Sequence, residues 1–293
     1  MRLGAVNNAA FAGVHLACLG AFWTGVDAAA AGVCAALYLV RMFAITAGYH
    51  RYFSHRAFKT GRAFQFLLGL LGATSGQKGP LWWAAHHRNH HRYSDTKDDV
   101  HSPRHGGFWW SHAGWILSPH FAKTRLEAVP DLARFPELVW LDRWHFLAPV
   151  TLGLACAAHS PRMLVWGFFV STTLLYHGTF TVNSLAHLFG SRRFATPDDS
   201  RNNPLVAALT LGEGWHNNHH QFPSVARQGL TAWELDPSHG VLKLLAAAGL
   251  VGELRAHPPL EEIHETQTAD LRPRRFGRML ERRAPGGADA ELA

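Results

Sequence analysis

The chain has 293 residues, 47% of them hydrophobic, a formal net charge of +7 and three cysteines. Each cysteine lies inside an apolar stretch, so no disulfide framework is indicated and a cysteine-based structural zinc site is disfavoured. The arginines are scattered and form no nucleic-acid-binding module, so the positive charge indicates membrane orientation and attraction to anionic lipid.

Two apolar segments at the N-terminus are each long enough to cross a bilayer. Residues 5–26 contain no charged side chain, and residues 28–49 contain only Arg41, which lies toward one end. Only Asp27 separates these segments, so we predict a tight antiparallel pair of transmembrane helices. Arg2 precedes the first segment as in a signal peptide, but no convincing cleavage site follows, which favours a retained anchor.

A second pair of spans is predicted at residues 144–159 and 163–186, separated by a proline-containing break at residues 160–162. Residues 64–74 are apolar but too short to cross, which favours an interfacial or buried helix. Residues 50–143 carry thirteen lysines and arginines. The positive-inside rule places this segment and the C-terminal part in the cytoplasm.

Histidines recur in three short motifs, HRYFSH, HRNHH and HNNHH. They contain His50 and His55, then His87, His90 and His91, then His216, His219 and His220. The i, i+3, i+4 spacing of the last two motifs puts three rings on one face of a helix. Neutral imidazole is a common ligand of transition metals, and eight rings are too many for one ion. The motifs therefore predict two metal ions with open positions, which is a catalytic arrangement.

The sequence disfavours two other interpretations of these motifs. A single HxxHH could be a solvated helix face, but two copies and an HxxxxH on one chain disfavour this. A ferritin-like di-iron carboxylate site requires paired Glu-x-x-His motifs and further glutamates. Glu213-x-x-His216 and Glu261-x-x-His264 match by spacing, but the other glutamates are lacking, so we discard that template.

A fourth element, NSLAH, ends the last predicted span. Its Asn183 and His187 lie one helical turn apart, which adds a ninth imidazole and a carboxamide at the membrane boundary. We expect the four elements to converge on a dinuclear centre. Four carboxylates close in sequence could orient the histidines, or each could simply be solvated: Asp95, Asp98, Asp99 and Glu213.

The motifs HRYFSHR, HRNHHRYSDT, GFWWSHAGWIL, NSLAH and GEGWHNNHH together resemble the membrane fatty acyl desaturases of the stearoyl-CoA (delta-9) type. The resemblance covers about residues 30–240. It implies an all-α integral membrane protein, with four transmembrane helices and a cytoplasmic helical cap that holds a His-rich di-iron centre. It also implies an enzyme that uses O2 and two electrons to introduce a cis double bond, at delta-9, into a saturated acyl chain. A fatty acid or acyl-lipid hydroxylase of the same di-iron class is the alternative.

By matching positions, the resemblance also implies the residues of the site. Two iron ions would be bound by His50, His55, His87, His90, His91, His187, His216, His219 and His220, with Asn183 acting through a water. Cys34 and Tyr38 on the second span could limit the length of the acyl chain in an apolar tunnel between the spans.

The sequence departs from the acyl-CoA enzymes at the positions that would hold the head group. Ala85 and His86 stand where a charged pair is common, and Arg104-His105 stands where a more basic pair is expected. An acyl chain on CoA, on a lipid or on a carrier protein therefore stays open. No HPGG haem motif is present, so the electron donor must be separate, a ferredoxin-type or cytochrome b5-type protein with its reductase. A basic surface would favour an acidic donor.

A non-enzymatic membrane metal carrier would need polar residues along the spans. These offer only His15, Arg41 and His177, which argues against a carrier. For the domains, we predict a desaturase domain at residues 1–264 and a mobile polar tail at residues 265–293.

Overall fold

The computed structural model describes residues 3–259 and 261–263. Within these ranges the protein is mostly helical, as predicted, and the short strands β1 (Lys59–Thr60) and β2 (Val251–Gly252) form one antiparallel pair. The described residues up to His257 form one compact unit, and the few described residues after it are grouped separately. His264 and the predicted tail at residues 265–293 lie outside the described residues.

The longest apolar helix begins at Asp27, whose side chain accepts a hydrogen bond of 2.8 Å from the Ala30 amide. Helix α2 has an α-helical first part, Ala28–Phe43, and continues without a break into a π-helical second part, Ala44–Ser54. This 27-residue helix is the one that is long and apolar enough to cross a membrane among the described residues.

The other three predicted spans do not reach that length and hydropathy over the described ranges. The first contains α1 (Leu3–Ala17), a 3-10 turn (Cys18–Gly20) and a single turn of helix (Ala21–Thr24). The third is α7 (Leu147–His159), which has 13 residues. The fourth is a continuous helical stretch of Pro161–Met163, π-helical Leu164–Val170 and α8 (Ser171–Leu188), and its hydroxyls and imidazoles lower the hydropathy. We call these helices and α2 the stem.

Arg41 lies inside the stem and is almost completely buried, at 1% exposure. Its guanidinium donates to the Ser171 hydroxyl at 2.5 Å and the Thr172 hydroxyl at 2.7 Å. It also reaches the carbonyl of Thr74, 3.4 Å away, at the end of α3 (Arg62–Ala73). Arg41 therefore pairs with hydroxyls and a helix C-terminus and does not extend to the surface. Helix α3 is the short apolar helix expected at residues 64–74.

The remaining elements form a polar region that we call the cap. Its helices are α4 (Pro80–Tyr93), α5 (Pro103–Trp109), α6 (Pro136–Arg143), α9 (Pro204–Leu209), α10 (His216–Gln221) and α11 (Pro237–Ala247). Shorter turns of helix lie at Trp110–Gly114, Trp115–Leu117, Pro119–Phe121, Leu126–Ala128 and Pro130–Ala133. Asp142 of α6 accepts hydrogen bonds from the amides of Leu81 and Trp82 and so caps the start of α4, which carries the second histidine motif.

The cap and the end of α2 share a hydrophobic core. Its buried side chains include Tyr49, Phe53, Phe58, Leu68, Leu81 and Leu138. Arg51, between two of these aromatic residues, is also buried and pairs with Glu213 at 2.9 Å and with Asp236 at 2.9 Å. This charged pairing ties the first histidine motif to the segment that carries the third.

Candidate metal centre

The structure brings all nine predicted histidines together, in two groups of ring nitrogens that each lie within 4.8 Å of one another. Cluster A contains His50, His55, His87, His91 and His219, and cluster B contains His90, His187, His216 and His220. The histidines come from the end of α2, from α4, from α8 and from α10.

The first motif depends on the π-helical end of α2. His50 and His55 are five residues apart, a spacing that turns side chains away from each other on an α-helix. In a π-helix the hydrogen bonds run between residues five apart, and the amide of His55 donates to the carbonyl of His50 at 3.2 Å. The two rings therefore lie on the same side of the helix, with centroids 4.8 Å apart.

Each HxxHH motif is divided between the two clusters. On α4, His87 and His91 belong to cluster A and His90 belongs to cluster B. On α10 the order is reversed, because His216 and His220 belong to cluster B and His219 belongs to cluster A. The first and last rings of each motif thus share one site, and the ring between them reaches across to the other site. The two helices therefore join the clusters into one unit.

Within both clusters, the Nε2 atoms of neighbouring rings lie within 3.1 Å of one another. The pairs are His50–His219 at 2.9 Å, His91–His219 at 3.0 Å, His55–His87 at 2.8 Å, His187–His216 at 3.1 Å and His216–His220 at 3.0 Å. With metal–nitrogen bonds of about 2.1 Å, two imidazole nitrogens at a right angle on one ion are about 3.0 Å apart. The spacing therefore fits nitrogen ligands arranged around a metal ion.

Carboxylates contact the other ring nitrogen, Nδ1, of four histidines. His50 contacts Glu213, His90 contacts Asp99 at 3.0 Å, His187 contacts Asp95 at 2.8 Å, and His220 contacts Asp198 at 2.8 Å. Such a partner fixes the tautomer with the proton on Nδ1 and leaves the Nε2 lone pair free for a metal. Glu213, Asp99 and Asp95, three of the four carboxylates that the sequence offered as candidates, therefore orient histidines. The fourth, Asp98, is exposed and has no histidine partner among its described contacts.

Asp198 was not anticipated from the sequence, because it comes from the loop after α8 and lies 22 residues before His220. His101 was also missed. Its ring is buried and stacks on His90 with centroids 4.2 Å apart, and it forms a third group of possible ligands with His90 and Asp99. That group is not an independent site, because His90 belongs to cluster B and Asp99 is the carboxylate that contacts His90. Neither residue belongs to a motif that could have signalled it.

Burial keeps most of the imidazoles neutral. It lowers the pKa of His55, His87, His91, His216 and His219 well below the usual value, and neighbouring histidines lower it further. Burial also lowers the pKa of His220, to about 4, although Asp198 opposes this shift. Neutral rings are the form that binds metal.

The carboxylates stay ionised in spite of their burial. Burial alone would raise the pKa of Asp95 and Asp99, but their hydrogen bonds and charge interactions with His187 and His90 lower it well below the usual value. The pKa of His90 itself is raised, because Asp99, Asp95 and Asp198 outweigh the effect of burial. His90 therefore sits in a negative field that favours a cation, and its Nε2 has no hydrogen-bond partner among the described residues.

An apolar cavity of about 680 Å³ reaches the centre from the stem. His87, His101 and Asn183 line its inner end. A smaller space of about 30 Å³ lies between Asn183 and cluster residues that include His90 and His216, which is enough room for a water molecule.

The structure does not place Cys34 or Tyr38 on this cavity. Cys34 is buried within the stem, and the hydroxyl of Tyr38 donates to the carbonyl of Leu209 at 2.6 Å. The cavity is bounded by α1, α7 and the helical stretch 161–188, and α2 contributes no residue to its wall. Residues 28–43 of α2 do not face this cavity, and the role of Cys34 and Tyr38 in limiting chain length stays a prediction.

Comparison with known proteins is consistent with this site. The fatty acid desaturase family model matches residues 27–239. The chain is 38% identical over 226 residues to an sn-2 palmitoyl-lipid 9-desaturase of Nostoc sp. (strain 36), covering 75% of this chain and 79% of that protein. It is 38% identical over 255 residues to an sn-1 stearoyl-lipid 9-desaturase of Anabaena variabilis, covering 85% and 93%. It is 35% identical over 268 residues to an acyl-CoA C20 Delta5-desaturase of Anemone leveillei, covering 86% and 81%.

Proposed function

This chain belongs to the fatty acid desaturase family, and on that premise we propose that it binds two iron ions and introduces a cis double bond at delta-9 of a saturated acyl chain. As a desaturase it is an oxidoreductase of lipid metabolism. One observation carries the proposal: nine imidazoles converge in two clusters at the inner end of an apolar cavity. The hydroxylase alternative is not supported, since the relatives named above are desaturases.

Cluster A would hold one iron through five histidines, and cluster B would hold the other through four. Bound iron supplies the oxidising power, taken from O2, that breaks two unactivated C–H bonds. The balance is one O2, two electrons, two protons and a saturated –CH2–CH2– unit, giving a double bond and two waters. Cluster B has fewer protein ligands, and Asn183 would complete it through a water in the adjacent space.

The protein's own groups prepare this site before any reaction. Asp95, Asp99 and Asp198 hold their histidines with Nδ1 protonated, so that each Nε2 lone pair faces inward. Their negative charges, with that of Glu213, offset part of the charge of two iron ions in a buried site. The ligands thus stay in place when a metal's charge changes during the reaction.

The cavity would hold the acyl chain and keep water from the reacting carbons. Its inner wall includes the buried side chains of Trp82, Trp115 and Phe180. Between them, the Gln77 side chain donates to the Thr179 hydroxyl at 3.1 Å, so the polar groups on this wall satisfy each other. An apolar chain can therefore lie against Gln77 and Thr179 without breaking a hydrogen bond between them and solvent.

The membrane arrangement is part of the proposal. We place four spans at residues 5–26, 28–49, 144–159 and 163–186, which puts the cap on the cytoplasmic face. The support is the apolar character of the stem, the concentration of lysine and arginine in residues 50–143, and the membrane association of the family. With this topology all nine histidines lie on one side of the bilayer.

Electrons would come from a separate ferredoxin-type or cytochrome b5-type protein with its reductase. The positive net charge of +7 would favour an acidic donor. The acyl chain would be carried by CoA or by a membrane lipid.

Product analysis tests the function. Total fatty acids of a host that produces this chain are compared by gas chromatography–mass spectrometry with those of a host that produces His216→Ala. We expect a new monounsaturated acid, with its double bond located after derivatisation, that is absent from the variant. A hydroxy acid would transfer the assignment to the hydroxylase, and no new product from the iron-loaded protein with a working donor would refute the proposal.

A further inference from the structure

The cavity that leads to the metal centre has its opening on one side of the stem. Most of its lining residues are buried or half-buried. Those that are exposed all belong to α1 or to the start and body of α7: Ala10, Gly13, Phe146, Val150, Leu154 and Ala157. The opening therefore lies between α1 and α7. These helices belong to the proposed spans 5–26 and 144–159, so the opening is on the outer surface of the stem.

The opening has the form of a cleft. Helices α1 and α7 each pack against the segment 164–170, which lies between them as the floor. On α7 the exposed lining positions Val150, Leu154 and Ala157 are spaced by i+4 and i+3, so they form one face of the helix. Ala10 and Gly13 of α1 are likewise three residues apart. The two walls therefore present small or apolar faces to a shared gap.

The floor of the cleft runs to the metal centre. It follows one face of the helical stretch 161–188, through Leu164, Phe168, Thr172, Tyr176, Phe180 and Asn183. At 1.5 Å per residue this face is about 28 Å long. One turn beyond Asn183, the same helix carries His187 of cluster B. A hydrocarbon chain lying on this floor would thus run along the helix toward the metal centre.

Polar contacts tie α1 and the turn that follows it to α8. The Nε2 atom of His15 lies 3.1 Å from that of His177, and Cys18 Sγ, in the turn, lies 3.3 Å from the Thr173 hydroxyl. Both partners belong to α8. No hydrogen bond between α1 and α7 is found in the described part of the chain. In the described residues, hydrogen bonds therefore join α1 to α8 and do not join it to α7.

The charges along the cavity disfavour a phosphate-rich head group at this opening. Coenzyme A carries several phosphates, which proteins bind with lysine and arginine. Lys78 is the one lysine or arginine among the described residues that line the cavity, and it is buried, at 8% exposure. Its ammonium group donates to the carbonyl of Ala122 at 3.0 Å and lies over the Trp82 ring. No exposed cation remains at the cleft.

We propose that a membrane glycerolipid inserts one of its acyl chains sideways from the bilayer through the cleft between α1 and α7, while its head group stays at the membrane surface. This inference rests on the proposed desaturase function and assigns the substrate as a lipid-bound acyl chain. A lateral cleft lets the acyl chain move from the bilayer into the cavity while the head group stays outside the protein. The double bond would then form without release of the acyl chain from the lipid.

Gly13 provides a test, because a Cβ atom built there meets no heavy atom within 4 Å. Gly13→Trp should fill the cleft without a clash in the folded protein. Gly32→Trp is the matched control, since Gly32 is also exposed on a stem helix, also has no heavy atom within 4 Å and does not line the cavity.

Membranes from the producing host, which contain the electron donor, are given distearoylphosphatidylcholine labelled with deuterium in its head group and glycerol. Intact-lipid mass spectrometry should show loss of two hydrogens from molecules that keep the label. Gly13→Trp should reduce this rate at least about tenfold relative to Gly32→Trp, with equal metal content. A photoactivatable phosphatidylcholine should also attach to residues 146–157 in the wild type, and less in Gly13→Trp.

Three results would overturn the inference. Equal rates in Gly13→Trp and Gly32→Trp would exclude this entry route. Conversion of added stearoyl-CoA to a monounsaturated acyl-CoA, with no change in the labelled lipid, would exclude the glycerolipid while leaving the desaturase function intact. A metal-loaded wild type that changes neither substrate would instead refute the proposed function itself.

Discussion

Clusters A and B differ more in their surroundings than in their ligands. Cluster A has five histidines, and one of them, His50, contacts a carboxylate, Glu213. Cluster B has four histidines, and three of them contact carboxylates. Cluster B therefore has fewer nitrogen ligands in a more negative setting. The difference indicates that the two ions would not be equivalent, with cluster B having the open position and the more basic imidazoles.

The largest effects should follow loss of a ligand that serves one cluster. We expect His219→Ala to remove the ion of cluster A and His216→Ala to remove that of cluster B, because each Nε2 lies beside two others of its own cluster. Activity should fall at least about 100-fold in both variants. Loss of a residue that only supports a ligand costs up to about 100-fold, and loss of the ligand itself should cost at least as much. Metal analysis should find about one ion per chain. His120→Ala, an exposed histidine, is the control.

If each of these variants loses both ions, the clusters bind metal as one cooperative unit and the distinction between them fails. That result is physically possible because α4 and α10 each supply both clusters.

The next effect concerns the carboxylates of cluster B. We expect Asp95→Asn to weaken metal binding there by about 10–100-fold, since Asp95 fixes the Nδ1 proton of His187. Competition with a chelator of known affinity measures the loss. Asp98→Asn serves as the control, because Asp98 is exposed and close in sequence. Unchanged metal affinity in Asp95→Asn would mean that the carboxylates around cluster B do not contribute to metal binding there.

For cluster A, the corresponding carboxylate also supports the fold. Glu213 contacts both His50 and the buried guanidinium of Arg51. We expect Glu213→Gln to destabilise the protein by about 1–3 kcal/mol, the usual cost of leaving a buried polar group poorly paired, and to lower the melting temperature. Glu253→Gln removes an exposed pair with Lys59 and should change the melting temperature little. Equal shifts in these two variants would contradict the structural role of Glu213.

The smallest effect is expected at Asn183, which faces cluster B across a space of about 30 Å³. Asn183→Ala should retain both ions and lower activity by about tenfold, because a bridging water would lose one partner. Activity and metal content are measured on the same preparation. Thr181→Ala, half-buried on the same helix, is the control. Loss of the ion from cluster B would instead make Asn183 a direct ligand.

The histidines of the site could be anticipated from the sequence because their signal is local. A spacing of i, i+4 places His87 and His91 on one helical face whatever the rest of the chain does. The division between clusters could not be anticipated, because it depends on how α4 and α10 are rotated toward each other and on the π-helical turn at His50. Asp198 and His101 lie in loops, where spacing carries no information about direction.

The stem shows the same limit. Apolar composition indicated where its helices lie, and the long helix Ala28–Ser54 agrees with that expectation. Which face of each helix meets the cavity depends on packing between distant segments, so Cys34 and Tyr38 were expected at a wall that is built by other helices. Local patterns in this chain predicted helices and the histidines that come together, whereas the shape of the cavity required the tertiary structure.

The contact between His50 and His219 joins residues 169 positions apart. During synthesis, cluster A cannot close until the segment that carries the third histidine motif has left the ribosome, after the stem helices have been made. Any metal that cluster A binds would therefore enter late in biogenesis, after the whole stem has been synthesised.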